Sequence, residues 1–200
     1  MQTQLSRPLV LGSSSAYRRQ LLERLGLPFT VQSPGIDETP HPSEAPAALA
    51  SRLALAKAHA VAEQFPDSVV IGCDQVADLH GASLGKPGDH ARATAQLQSM
   101  RGHTVVFQTA MAVVCRATGF ESQTLVPVVV KYRQLSDDEI DYYLRTEQPY
   151  DCAGSAKSEG LGIALLESIA NDDPTTLVGL PLIRLSAMLR AAGVPVLGGL

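Results

Sequence analysis

Apolar positions in the first half of the chain switch between short unbroken runs and stretches of helical spacing. Residues 8–12 (PLVLG) form an apolar run ending in small residues, which predicts a short buried strand. Ser13, Ser14 and Ser15 each offer a side-chain cap, and Leu21, Leu22 and Leu25 then share a helical face that Gly26 terminates. Residues 29–32 predict a second strand, and residues 33–42, rich in Pro and Gly, predict a loop carrying Asp37 and Glu38. From Ser43 an alanine-rich segment repeats Leu49, Leu53, Ala56 and Ala60 on one face, the signature of the longest helix. Residues 68–72 (SVVIG) read as a strand buried on both faces, with Asp74 just past its carboxyl end. Residues 75–79 are placed to extend it into a hairpin through His80 and Gly81.

The second half begins with a helix capped by Asp89, apolar at Ala93, Leu97 and Met100 and stopped by Gly102. Two β-rich runs follow, 103–116 and 124–132, joined by a turn at Thr118 and Gly119. Ser136 and Glu139 have capping-box spacing and open a helix with Ile140, Tyr143 and Leu144 inward, which Pro149 closes. A glycine-rich stretch (153–162), a short apolar segment and a last helix near 181–192 complete the chain. Alternating strands and helices, with adjacent strands in the middle, predict an α/β fold with both parallel and antiparallel pairing. Residues 1–200 form one domain by length, with no internal repeat and no linker.

Composition narrows the function. Hydrophobic residues make up 45% of the chain and charged residues 18%, so it can fold around a sizeable core. The net charge of −4, without any run of five like charges, argues against duplex nucleic acid as a partner. The longest uncharged stretch, 102–115, is shorter than the ~18 apolar residues of a membrane span. The N-terminal apolar run is also too short for a signal peptide, so a cytoplasmic location is expected and no membrane partner. Cys73, Cys115 and Cys152 lack paired or zinc-like spacing and read as reduced, mostly buried thiols.

Three features could carry chemistry. A strand, a serine turn and a helix N-terminus with Arg18 and Arg19 suit phosphate oxygens, although a simple serine-capped helix has the same pattern. GASLGKP (81–87) is not a Walker A loop: it is one residue short and has Pro87 where a metal-binding hydroxyl is required. Lys86 can still serve as a point charge on phosphate, or simply be solvated. Asp74, Glu38 and Glu159 are oxygen donors that could hold a hard cation, each with a solvated-surface alternative. No histidine has metalloprotease spacing, and no serine lies in an esterase elbow.

Six ordered segments, SSSAYRRQLL, GIDE, LALAKAHA, IGCDQV, GKPGD and AGSAKSEGLG followed by VGLPL, together resemble the Maf family of nucleotide pyrophosphatases over residues 9–189. The resemblance implies a Maf/Ham1-like fold, with a bent mixed sheet, flanking helices and a nucleotide cleft between two lobes. It further implies hydrolysis of a nucleoside triphosphate to monophosphate and pyrophosphate with a divalent cation, Mg or Mn. By position, Asp74 matches the proton acceptor, and Ser13, Arg18, Arg19, Glu38, Lys57 and Lys86 match the phosphate and metal constellation. Ala16 departs from the family's usual proline, which would preset φ at the helix start but donates no hydrogen bond. Tyr17, Gln75 and Glu159 look like the branch acting on 7-methyl-GTP rather than the dTTP/UTP branch. A carboxylate at Glu159 would suit guanine donors and a cationic methylated ring, with Tyr17 as aromatic neighbour or as a packing residue. Asp74 is left with two roles, base or metal ligand. A nucleotide-binding division regulator without turnover is the competing class, and a homodimer is left open.

Overall fold

The computed structural model describes residues 6–197. Its first unit is β1 (Leu9–Gly12), α1 (Ala16–Glu23) and β2 (Thr30–Val31), followed by α2 (Pro46–Gln64). The long strand β3 (Val69–Leu79) turns through Gly81 into β4 (Ala82–Leu84), and α3 (His90–Met100) leads to β5 (Thr104–Cys115) and β6 (Phe120–Tyr132). The chain continues with α4 (Asp137–Glu147), β7 (Leu166–Ala170) and α5 (Leu182–Ala191). The seven strands form one mixed sheet in the order β2-β1-β3-β5-β6-β7, with β4 also on β3. β1 pairs parallel with β2 and β3, and every other pairing is antiparallel. This is the α/β class expected from the alternation of elements.

Side-chain alternation along the strands sorts the core. Leu9, Leu11, Ile71, Cys73, Met111 and Val113 face α1 and α5, where Leu21, Leu22, Leu185 and Leu189 cover them. The opposite face presents Val10, Val70, Ala112 and Val114 to Ala58, Val61 and Ala62 of α2. Farther along the same long strands, Ala77, Phe107, Val128 and Val130 form a separate cluster with Leu97 and Met100 of α3 and Ile140, Tyr143 and Leu144 of α4. Gly72 lies flat against α2, and a Cβ there would run into the backbone of Ala54 and Ala58. That contact fixes how deeply α2 sits on the sheet.

Several boundaries differ from expectation; β6, for one, begins at Phe120 rather than at residue 124, because its pairing with β5 runs to the turn. β3 does not stop at Gly72 but runs through Asp74, which stands opposite Ala110 of β5, because the antiparallel ladder with β5 continues where β1 ends. Asp74 is therefore inside a strand, two residues beyond the point where its parallel neighbour stops. α2 begins at Pro46 rather than Ser43, whose φ of 58° lies outside the helical region. The 29–32 strand shortens to two residues, and the apolar segment before the last helix is the edge strand β7. Caps at Asp89 and Ser136 form as their spacing predicts, Asp89 accepting from the Arg92 amide and Ser136 completing a capping box with Glu139. All three cysteines are free, two of them buried. Among the described residues, no helix is long and apolar enough to cross a membrane.

Candidate active site

A cleft of about 780 Å³ opens where β1 ends and β3 runs on. Its floor is the Asp74–Val76 stretch of β3, and its walls are the N-terminus of α1, the 33–40 loop, α2, the loop after β4, and the segments 151–159 and 177–179. Of the ten residues singled out in the sequence, nine line it: Ser13, Tyr17, Arg18, Glu38, Lys57, Asp74, Gln75, Lys86 and Glu159. Arg19 does not. One residue along a helix rotates the side chain by about 100°, and Arg19 turns to solvent and pairs with Glu23 at 3.5 Å.

The deepest charges form a chain of three. Lys57, buried in the middle of α2, places Nζ 2.6 Å from Asp74 Oδ1 and 2.9 Å from Glu38 Oε1. The contact exists because even-numbered β3 residues face α2, so a lysine on the α2 face that packs on the sheet meets the Asp74 carboxylate. Burial pushes the Asp74 carboxyl above its ordinary range, and the Lys57 ammonium and Arg18 guanidinium only partly oppose this. The result is a carboxylate more basic than a solvated one.

Arg18 is fixed by the framework rather than by a carboxylate. Its Nη1 donates to Cys73 O at 2.8 Å and to Ser13 Oγ at 3.4 Å, while Nε donates to Gly179 O at 3.0 Å. These acceptors are neutral, so among the described residues the guanidinium beside the N-terminus of α1 is in no ion pair. Ser15 caps that helix by accepting from the Arg18 amide, and its dipole adds to the anion-attracting field. Lys86, exposed on the loop after β4, supplies a further cation on the facing wall.

Gln75 points away from Asp74, as adjacent strand residues must. Its Nε2 donates to Thr109 Oγ1 at 2.8 Å and to the carbonyls of Thr176 and Leu177 at 3.1 and 3.2 Å. Glu159 stands on a loop pinned from α4, where Glu147 accepts from Lys157 Nζ at 2.6 Å and from the Leu161 amide at 2.8 Å. Tyr143 accepts from the Lys157 amide at 3.1 Å and secures the same loop. Tyr17 reaches this end from α1, with Cys152 Sγ 3.9 Å from its hydroxyl. Burial raises the Tyr17 hydroxyl far above the phenol range, and Cys152, Asp151 and Glu159 add to it. The Cys152 thiol is pushed up to about 12, first by burial and then by Asp151, so it is a neutral, unreactive neighbour.

Sequence reasoning passed over Asp151, Cys152 and the 176–179 carbonyls. Backbone acceptors leave no residue-type signal, and an isolated Asp-Cys pair has no diagnostic spacing.

Among the described residues no three His, Cys, Asp or Glu side chains gather as a ready metal cluster. Two carboxylates do meet around Lys57 on the cleft wall, and magnesium is typically held by one or two carboxylates plus substrate phosphates. The hard-oxygen donor set of Glu38 and Asp74 fits such an ion.

A cleft with a framework-held guanidinium and a buried acid at one end, and carboxylate and amide acceptors at the other, has the chemistry that suits a nucleotide. The chain belongs to the Maf family, whose model, described as Maf-like protein, matches residues 8–192. A relative from Polaromonas sp. (strain JS666 / ATCC BAA-500) named 7-methyl-GTP pyrophosphatase is 70% identical over 96% of this chain and 88% of its own length. Proteins of the same name from Albidiferax ferrireducens and Methylobacillus flagellatus are 64% and 57% identical, covering 99% and 95% of this chain and 100% and 99% of their own.

Proposed function

We propose that this Maf-family enzyme is a nucleoside triphosphate pyrophosphatase that hydrolyses 7-methyl-GTP to 7-methyl-GMP and pyrophosphate. The observation that carries the reading is the buried Asp74–Lys57 pair, extended by the exposed Glu38, lying in one cleft with Arg18 and with Glu159. A protein that only bound the nucleotide would gain nothing from carboxylates beside phosphates.

The triphosphate lies along Ser13, Arg18, Lys57 and Lys86, which offset its charge and stabilise the departing pyrophosphate. Arg18 needs no reorganisation for this, since three framework acceptors already hold it. Asp74 takes the proton from water attacking the α-phosphorus. Its raised proton affinity makes it a better base, and Lys57 keeps it ionised and oriented. A divalent cation, magnesium or manganese, would be held by Glu38 together with the substrate phosphates and would supply charge neutralisation on them, Asp74 being its ligand only in the alternative in which it is not the base. At the far end Glu159 accepts from the guanine donors and favours the cationic methylated ring. Tyr17 lies against the base, and Gln75 offers it a carbonyl oxygen.

The test is a panel of 7-methyl-GTP, GTP, dTTP and UTP with pyrophosphate detection, run on the wild type and on Asp74→Asn. The expected result is 7-methyl-GTP as best substrate, and a loss of ~10²- to 10⁴-fold in kcat for the variant with nucleotide binding retained. Faster turnover of dTTP or UTP than of 7-methyl-GTP would overturn the base assignment. Wild-type kcat in Asp74→Asn would overturn the proton-acceptor role.

A further inference from the structure

Gln75 is held in a way that only one orientation of its amide satisfies. Nε2 meets three oxygen atoms: the hydroxyl of Thr109, directly opposite on β5, and the carbonyls of Thr176 and Leu177. Thr109 is fully buried, and its own hydroxyl points toward the Thr176 carbonyl at 3.4 Å, which leaves its lone pairs to Gln75. Were the amide reversed, its oxygen would face two carbonyls with no donor among them. The reversed rotamer is electrostatically excluded.

The consequence falls on the other end of the amide. Among the described residues Gln75 Oε1 accepts no hydrogen bond, yet it is not one of the buried unpaired atoms, which are Tyr132 Oη and Thr176 Oγ1. Gln75 lines the cleft, and with Nε2 turned to its three acceptors Oε1 is the amide atom left to face it. We propose that Thr109 is a positioning residue for base selection: the Thr176 and Leu177 carbonyls set which way the Gln75 amide faces, and Thr109, by accepting from Nε2, holds the amide in place so that Oε1 is presented as an acceptor in the base-binding end of the cleft. Thr109 itself does not line the cleft, so it acts through Gln75 alone. The acceptor so presented selects ligands with an N–H or amino group at that point, as guanine has. A base that turns a carbonyl there is rejected.

The inference rests on the functional reading above insofar as Gln75 touches the base. The experiment compares wild type, Thr109→Val and Thr109→Ser for kcat and KM on 7-methyl-GTP, GTP, dTTP and UTP. Thermal melting confirms that each variant is folded. Valine is nearly isosteric but lacks the hydroxyl, so in Thr109→Val the amide loses one of its three acceptors. The ratio of kcat/KM between the best and poorest base should fall about five- to tenfold, through KM and with kcat on the best substrate retained. Thr109→Ser should restore the ratio. A merely structural role would lower the melting temperature or kcat for all four nucleotides equally, and that result overturns the proposal. A wild-type preference that Thr109→Val leaves intact also overturns it, while the functional reading stands. A wild type without preference among the four overturns that reading and the positioning role with it.

Discussion

Replacing Lys57 with Met probes the electrostatic centre of the cleft, because methionine keeps the stem and deletes the ammonium. Lys57 and Asp74 side chains are 6% and 9% exposed, and their 2.6 Å contact is shielded from solvent. Glu38 is 56% exposed, so its share of the interaction is that of a surface pair and small. Removing one partner of a buried pair leaves the other charged and unpaired, at a cost of about 3–5 kcal/mol. Asp74 has an escape by taking up a proton, which costs about 1.4 kcal/mol for each pH unit above its pKa. Its pKa is already raised by burial and rises further without Lys57. Between the unfolded value and this raised folded value the native state binds more protons than the unfolded chain. Stability therefore falls as pH rises through that window and levels off above it. Urea denaturation of the wild type, Lys57→Met, Asp74→Asn and the double variant at pH 5 and pH 8 measures the effect. Lys57→Met should lose about 3–5 kcal/mol at pH 8 and less at pH 5. The double variant should lose less than the two single losses added together, since asparagine leaves no buried charge. Wild-type stability of Lys57→Met at pH 8, or strict additivity of the two substitutions, would refute the coupling.

Chelation with EDTA should abolish pyrophosphate release, and magnesium or manganese should restore it; full turnover in metal-free buffer would remove the cation from the mechanism. Glu159→Gln should narrow the preference for 7-methyl-GTP over GTP, because reach is kept while the charge that attracts the methylated ring is lost. An unchanged ratio of kcat/KM for these two nucleotides would show that the carboxylate does not face the ring. Arg52 accounts for most of the depression of the Glu44 carboxyl to about 2, through contacts of 2.7 Å to both oxygens. Its stabilisation is complete above the ordinary value of 4.5 and is lost as pH falls from there toward 2. Melting curves of wild type and Glu44→Gln should accordingly converge across that range, and parallel curves would contradict the assignment.

Much of this was legible because local chemistry and tertiary packing agree. The Asp89 and Ser136 caps needed only their own helices, and Leu21 and Leu22 of α1 reach the core as their spacing predicts, whereas Leu25 lies past the helix end and is only partly buried. The strand boundaries were harder. Whether β3 stops at Gly72 depends on β5, whose pairing partner at Asp74 is 36 residues away at Ala110 and leaves no local trace. β7 has all five residues at least partly exposed and survives as an edge strand by backbone bonds to β6, so its burial pattern predicts nothing. For the cleft, residue type sufficed to pick out nine of the ten side chains that were singled out as lining it. Arg19 shows the limit, since two adjacent arginines look equivalent in sequence and only helix rotation separates one in the cleft from one in solvent.

Asp74 and Gln75 are neighbours on one strand whose side chains leave by opposite faces, so the proposed proton acceptor and the proposed base contact are divided by a single peptide unit. A strand read in steps of two makes this arrangement depend on parity. One residue inserted or deleted between Gly72 and Asp74 would exchange the two faces, sending the carboxylate toward the Thr176 carbonyl and the amide toward Lys57. The hydrophobic content would hardly change, and both halves of the activity would be lost together. A change of length is compatible with the site only where parity carries no message, such as the turns at Gly81 and Gly119, where the backbone has positive φ and a Cβ would meet no neighbour within 4 Å.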